Sequence, residues 1–345
     1  MSEPRTLLAV DGGNSKTDLA LMREDGALLA FARGPLSSPH HIGVHGCLEI
    51  LEGLYGRAAR NAGLDPAERP LADVGKVLLA GADLPEEEQE LEEAMREHSF
   101  AADLEVGNDV FAVLRAGTER GWGVAVVCGA GINCVGVAPD GRQARFPALG
   151  PISGDWGGGY DVGLAGLSAA ARAADGRGPA TSLEEAVPAH LGLATPRDVA
   201  VALHRGGMSS RRLVELAPVV LAEAERDPVA ASILDRLADE TVAFIRAALQ
   251  QLDLSTEGVD VVLGGGILRF GPARLADRVT EAVLAEAARA NVSVVGSPPV
   301  VGAALLALDQ LGATDESKSR ARDELQAAAR ASGDGAAVIV GGSDG

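Results

Sequence analysis

Two carboxylates, Asp11 and Asp109, and three glycine turns stand at the ends of apolar runs, a pattern suited to phosphate chemistry. The run Leu7-Leu8-Ala9-Val10 ends in Asp11-Gly12-Gly13, continues through Asn14-Ser15-Lys16-Thr17-Asp18 and returns as Leu19-Ala20-Leu21. This reads as a strand, a hydroxyl-rich glycine turn and a second strand. Backbone N–H groups in such a turn can wrap a phosphate, and glycines allow its close approach. Asp11, at the strand end, is placed to hold Mg²⁺ or its waters. Read alone, the segment is equally a polar β-hairpin turn.

Two more turns follow apolar strands: Gly129-Ala130-Gly131 and Gly264-Gly265-Gly266. Three such turns fit one nucleotide site built from two lobes. The first would take β- and γ-phosphates, the second phosphates from the opposite lobe, and the third would run beside an adenosine. The chain has no G-x-x-x-x-G-K-[ST] loop, and no glycine turn opens a dinucleotide-type βαβ unit.

Asp109 ends a strand at Gly107-Asn108-Asp109, where a carboxylate can accept the proton of an attacking hydroxyl; it is equally placed to cap the next helix, and the two roles are compatible. The run Gly150-Pro151-Ile152-Ser153-Gly154-Asp155-Trp156-Gly157-Gly158-Gly159 is too glycine-rich to be ordered without cost. It reads as a ligand loop, with Asp155 on sugar hydroxyls and Trp156 against a ring, or as a plain Ω-loop. Ser37-Ser38-Pro39-His40-His41 is a substrate-contact loop or an ordinary surface loop, and its paired histidines lack a third metal ligand nearby. Cys128 and Cys134 read as small core residues.

The elements that must position these residues alternate between strand and helix. Three strands are expected from residue 5 to about 33, a helix at 45–62, a strand at 74–80, an acidic helix at 86–98, a short strand at 104–106 and a helix at 110–116. The pattern restarts with strands at 123–128 and 134–138, which suggests internal duplication. Helical periodicity runs from 163 to 252, followed by a strand at 259–263, a helix at 273–290, a strand at 292–295 and a helix at 300–311. The expected division is an N-terminal lobe at 1–117, a C-terminal lobe at 118–312 with a helical insertion at about 163–252, and a flexible tail at 313–345.

Composition narrows the class. The 345 residues are 47% hydrophobic and only 3% aromatic, so an Ala-, Val- and Leu-rich core is expected. A formal charge of −19 disfavours nucleic acid and anionic membranes as partners. Three cysteines, no signal-peptide pattern and no long apolar span point to the cytoplasm.

With Asp11-Gly12-Gly13-Asn14-Ser15-Lys16-Thr17-Asp18 and Gly154-Asp155-Trp156-Gly157-Gly158-Gly159 in view, the chain resembles the BadF/BadG/BcrA/BcrD ATPase family over about 7–311. The likeness is to its N-acetylglucosamine kinase-like branch, within the sugar kinase–actin–heat-shock chaperone superfamily. The resemblance implies an α/β fold of two ribonuclease-H-like (actin-like ATPase) domains closing over a central cleft. It implies ATP and Mg²⁺ as cofactors and a small sugar as substrate, with phosphate passed to the C6 hydroxyl of an amino sugar. A homodimer is among the assemblies open to such a chain.

Residue by residue, the resemblance puts ATP on Gly12, Gly13, Asn14, Ser15, Lys16 and Thr17, on Gly129, Ala130 and Gly131, and on Gly264, Gly265 and Gly266, with Asp11 on the metal. The catalytic Asp falls on Asp109. Substrate contacts fall on Ser38, His40, Asn108, Asp109, Gly154, Asp155 and Trp156. Five departures from the family pattern are Asn14 for Gly, Ala130 and Ile132 for hydroxyl residues, Trp156 for Glu, and Ser38 for Asn. Other outcomes are an electron-transfer activator of the same family, with cysteines on an iron–sulfur cluster, or a binding protein without turnover. Cys128 and Cys134 flanking a phosphate loop and Cys47 in an early helix argue against the first; the departures at Ala130, Ile132 and Ser38 keep the second open.

Overall fold

Strand β1 (Thr6–Gly12) is apolar on both faces, which only a central strand covered on both sides can satisfy. The computed structural model describes residues 4–333 and places β1 in the middle of a five-stranded sheet. The order is β3 (Leu28–Pro35), β2 (Lys16–Arg23), β1, β4 (Val74–Leu79), β5 (Asp103–Asn108). β1, β2 and β3 form an antiparallel meander, while β4 and β5 run parallel to β1.

Alternation along β1 sorts the core. Leu8 and Val10 join Leu51, Leu54 and Tyr55 of α1 (Pro39–Asn61) and Leu91 and Met95 of α2 (Pro85–Arg96). Leu7 and Ala9 pack instead with Ala112 of α3 (Asp109–Gly117) and with the small residues of α11 (Pro299–Gln310). Gly302 of α11 lies so close to α3 that an added Cβ would stand 1.8 Å from the Ala112 carbonyl oxygen. The N-terminal turn of α1 is broken from the rest at Gly43 (φ +71°), so the expected helix at 45–62 gains a short polar overhang around His40.

The second unit, Arg120–Gly296, repeats the plan. Its sheet runs β10 (Asn291–Val294), β9 (Asp260–Gly264), β6 (Gly123–Cys128), β7 (Ile132–Val137), β8 (Gln143–Arg145). β6–β8 form the antiparallel meander, with β9 and β10 parallel to β6. Strand for strand this is the first sheet again, the duplication expected from the two strand–turn–strand openings. Between β8 and β9 lie α4 (Gly158–Ala174), α5 (Leu183–His190), α6 (Pro196–His204), α7 (Ala217–Glu223) and α8 (Pro228–Gln251). After β9 come α9 (Gly266–Phe270) and α10 (Ala273–Glu286).

Two expected boundaries differ from the structure. The first unit resumes at Ser297, so α11 packs with the N-terminal sheet and not with the C-terminal lobe expected to reach 312. Contiguity along the chain does not say which sheet a helix covers. Residues 315–331 of the expected tail form α12 (Asp315–Ala331), with Ala321, Leu325 and Ala329 buried at four-residue spacing. Glu324 accepts the Leu28 backbone N–H at 2.6 Å, and Arg320 lies 3.3 Å from Asp25. Residues 334–345 of that expectation lie outside the described residues.

Candidate active site

In the first unit the ends of β1, β4 and β5 carry the acids. Asp11 is buried at the end of β1 and forms no ion pair among the described residues, although the next acid, Asp18, is chelated by Arg33 at 2.6 and 2.8 Å with Lys16 Nζ at 3.7 Å. Burial above all, then the negative charges of Asp18 and Asp109, push the Asp11 carboxyl well above the usual range; Lys16 and Arg33 pull the other way. A buried acid in surplus negative charge suits a cation. Among the described residues no three His, Cys, Asp or Glu side chains cluster to hold an ion unaided. Asp11 alone fits a hard, hydrated cation such as Mg²⁺, which would need its other ligands from water or a bound phosphate.

The β1–β2 turn is closed by Gly13 N–H on the Lys16 carbonyl (2.9 Å). Lys16 is half-buried with its ammonium near Asp18, whereas Thr17 is fully buried. Thr17 Oγ1 is 2.7 Å from the Pro35 carbonyl and 2.8 Å from Ser37 Oγ, so its hydroxyl points into the sheet and not at the turn.

Asp109 opens α3 behind its N-cap Asn108, whose Oδ1 accepts the Val110 N–H at 3.0 Å. The cap expected of Asp109 therefore falls on Asn108, and Asp109 stands one residue inside the helix. Burial, then the charge of Asp83, raise the Asp109 carboxyl to about 7 against the pull of the Val110 N–H and its own. Ser38 is 1% exposed and its Oγ has no hydrogen-bond partner among the described residues, a buried hydroxyl at the head of α1 that a ligand could satisfy. His40 lies beside it with Nε2 3.2 Å from Glu87 and Nδ1 3.8 Å from Asp83. Asp83 was missed in the sequence. It follows β4 as Gly81-Ala82-Asp83, the same strand–glycine–acid order as Gly107-Asn108-Asp109.

The second unit gathers its glycine segments. The Gly129–Ala130–Gly131 turn is held from one side by α4, with Gly159 N–H on the Gly129 carbonyl (2.8 Å) and Tyr160 N–H on the Ala130 carbonyl (3.0 Å). Gly158 (φ +77°) admits this approach, since its Cβ would lie 2.4 Å from the Gly131 backbone. On the other side Gly265 (φ +86°) comes so close that a Cβ would stand 2.3 Å from the Cys128 carbonyl oxygen. At Gly129, Gly131, Gly154 and Gly266 a Cβ would meet open space. Thus the second and third turns and the 157–160 segment pack together, with open space over Gly129, Gly131 and Gly266.

Asp155 is buried and accepts the Ser153 hydroxyl at 2.5 Å, while its own N–H goes to the Gly150 carbonyl at 3.1 Å. Trp156 differs from the ring-stacking expectation. The Arg236 guanidinium of α8 already covers its face at 4.0 Å, and its indole lines a cavity of about 450 Å³ with Asp161, Leu164 and Arg172. Cys47, Cys128 and Cys134 are free and buried, the first two pushed up to about 12 by burial and Cys134 further still.

A duplicated α/β sheet of this topology, with strand-end acids and glycine turns, defines the ribonuclease-H-like fold of sugar kinases and actin-like ATPases. The family model of the BadF/BadG/BcrA/BcrD ATPase family matches residues 8–307, and the chain belongs to that family. An N-acetylmuramic acid/N-acetylglucosamine kinase of Clostridium acetobutylicum is 29% identical over 264 residues, 76% of this chain and 85% of that one. An N-acetyl-D-glucosamine kinase of Dictyostelium discoideum is 27% identical over 324 residues, covering 88% and 97%. A crystal structure from Chromobacterium violaceum, offered as an N-acetylglucosamine kinase, superposes with a TM-score of 0.70 at 26% identity and covers 89% of this chain and all of that one. Among the described residues no helix is long and apolar enough to cross a membrane.

Proposed function

We propose that this protein is an ATP-dependent sugar kinase that passes the γ-phosphate to the C6 hydroxyl of N-acetylglucosamine or a related amino sugar, with Asp109 as general base. The observation that carries this reading is Asp109 itself. It is a carboxylate at the start of α3 without a cationic partner among the described residues, raised to about 7 and so poised to take a proton near neutrality. Its family and the kinases it resembles support the reaction class.

In the first unit, the turn at 12–17 holds phosphate oxygens, with Gly12 and Gly13 allowing the close approach, the amides of Asn14 and Ser15 donating and Lys16 adding a positive charge. Thr17 serves the site only through its backbone. Asp11 orients the metal's waters. Bound Mg²⁺ neutralises phosphate charge, which is its part in such transfers. Ser38 and His40 meet the sugar with Asn108 and Asp109. In the second unit, the backbone of the Gly129–Ala130–Gly131 turn, whose Gly129 N–H closes the turn on the Gly131 carbonyl (2.9 Å), takes the place of the hydroxyl donors that Ala130 and Ile132 cannot supply. Gly264, Gly265 and Gly266 leave room for adenosine, and Gly154 and Asp155 contact sugar hydroxyls. Trp156 shapes that loop from behind.

An ADP-release screen across N-acetylglucosamine, N-acetylmuramic acid, glucosamine, N-acetylmannosamine and glucose tests the reading, with NMR locating the new phosphate ester. Turnover of an N-acetylated amino sugar with phosphate on C6 is expected. Binding of ATP and sugar without turnover would sink it in favour of a binding protein.

A further inference from the structure

Asp83 has no part in the chemistry described so far, yet three elements converge on it. Its Oδ1 accepts Asn108 Nδ2 at 2.7 Å from the end of β5. Its Oδ2 faces His40 Nδ1 of α1 at 3.8 Å. Its backbone N–H, with that of Leu84, donates to Glu87 Oε2 of α2 at 2.9 and 3.0 Å. The Asn108 amide is fully committed as a result. Nδ2 donates to the Ala82 carbonyl (3.2 Å) and to Asp83, and Oδ1 accepts Val110 N–H. A flipped amide would set NH₂ against the Val110 N–H and an oxygen against Asp83 and Ala82, so Asp83 fixes which way the α3 cap points. Asp109 is the next residue.

We propose that Asp83 is a positioning residue for phosphoryl transfer: it locks the Asn108 cap that aims Asp109, and it holds a negative charge beside that base. The inference rests on the reading of Asp109 as general base. A plain structural clip would need only an acceptor for Asn108 Nδ2, which an amide oxygen supplies as well as a carboxylate. The charge is what distinguishes the two roles. Other groups acting there are Asp11 from β1, Glu87 and Glu88 from α2, and His40 from α1, none of which is altered in the test.

The experiment compares Asp83→Asn, Asp83→Ala and Asp109→Asn in the intact protein, with kcat and sugar KM followed from about pH 5.5 to 9. Asp83→Asn keeps an acceptor but loses the charge, so the acid limb of kcat should move about one pH unit lower. Asp83→Ala frees the cap as well, and kcat should drop roughly 10- to 100-fold with sugar KM nearly constant. An acid limb in Asp83→Asn that superimposes on the wild type overturns the proposal, as does an Asp83→Ala variant with wild-type kcat. If circular dichroism shows Asp83→Ala unfolded, the Asp83→Asn limb decides alone. Turnover that survives in Asp109→Asn removes the base, and this inference with it; loss there with an unmoved Asp83→Asn limb removes only this inference.

Discussion

At the scale of single residues, the site is a set of acids kept short of counter-charge. Asp18 has Arg33, whereas Asp11 and Asp109 have no ion-pair partner among the described residues and are pushed upward, by burial first and then by neighbouring carboxylates. Asp109→Asn should abolish sugar phosphorylation while ATP still binds, measured by ADP release and by nucleotide titration. The same change should stabilise the fold. With a native value of about 7 against an ordinary 3.8, the folded state holds a proton that the unfolded state has released. Wild-type stability therefore falls as pH rises from about 4 to 7 and stays low above. The Asn variant escapes this loss, so its advantage should reach about 1–3 kcal/mol at pH 8 and vanish near pH 4 in denaturant titrations. Metal removal tests Asp11: chelation should bring turnover to background, Mg²⁺ should restore it, and Asp11→Asn should require at least tenfold more Mg²⁺ for half-maximal rate.

At the scale of elements, close approach decides where the turns sit. Gly158 lets the start of α4 lie on the Gly129–Gly131 turn, and both its positive φ and the 2.4 Å approach exclude a side chain. Gly158→Ala should raise ATP KM tenfold or more and leave sugar binding to the first unit unaffected, read by steady-state kinetics with each substrate varied. Helix α12 shows the opposite use of packing. Its buried residues, Ala321, Leu325 and Ala329, form one narrow stripe on a highly charged helix. Leu325→Ala should cost about 2–4 kcal/mol in unfolding experiments, which a frayed tail would not show. The low apolar content made this segment read as a tail; only its four-residue spacing betrayed a buried face.

At the scale of the whole molecule, a chain of formal charge −19 must attract a polyanionic nucleotide. Local amides and Lys16 do so at short range, while the long-range field opposes approach. Raising salt from about 20 to 200 mM should therefore increase kcat/KM for ATP several-fold by screening, a trend that stopped-flow binding would also show. The apolar strands, the glycine turns at their ends and the acids Asp11 and Asp109 were all legible in the chain, because strand period and turn chemistry are local properties. The repeated sheet was legible too, as two strand–turn–strand openings. Tertiary structure alone decided that α11 and α12 cover the first sheet, that Thr17 turns inward, that Trp156 lies under Arg236, and that Asp83 stands against Asn108. Those outcomes depend on which surfaces meet across dozens or hundreds of residues, and a side chain's direction is fixed by the neighbours it meets there.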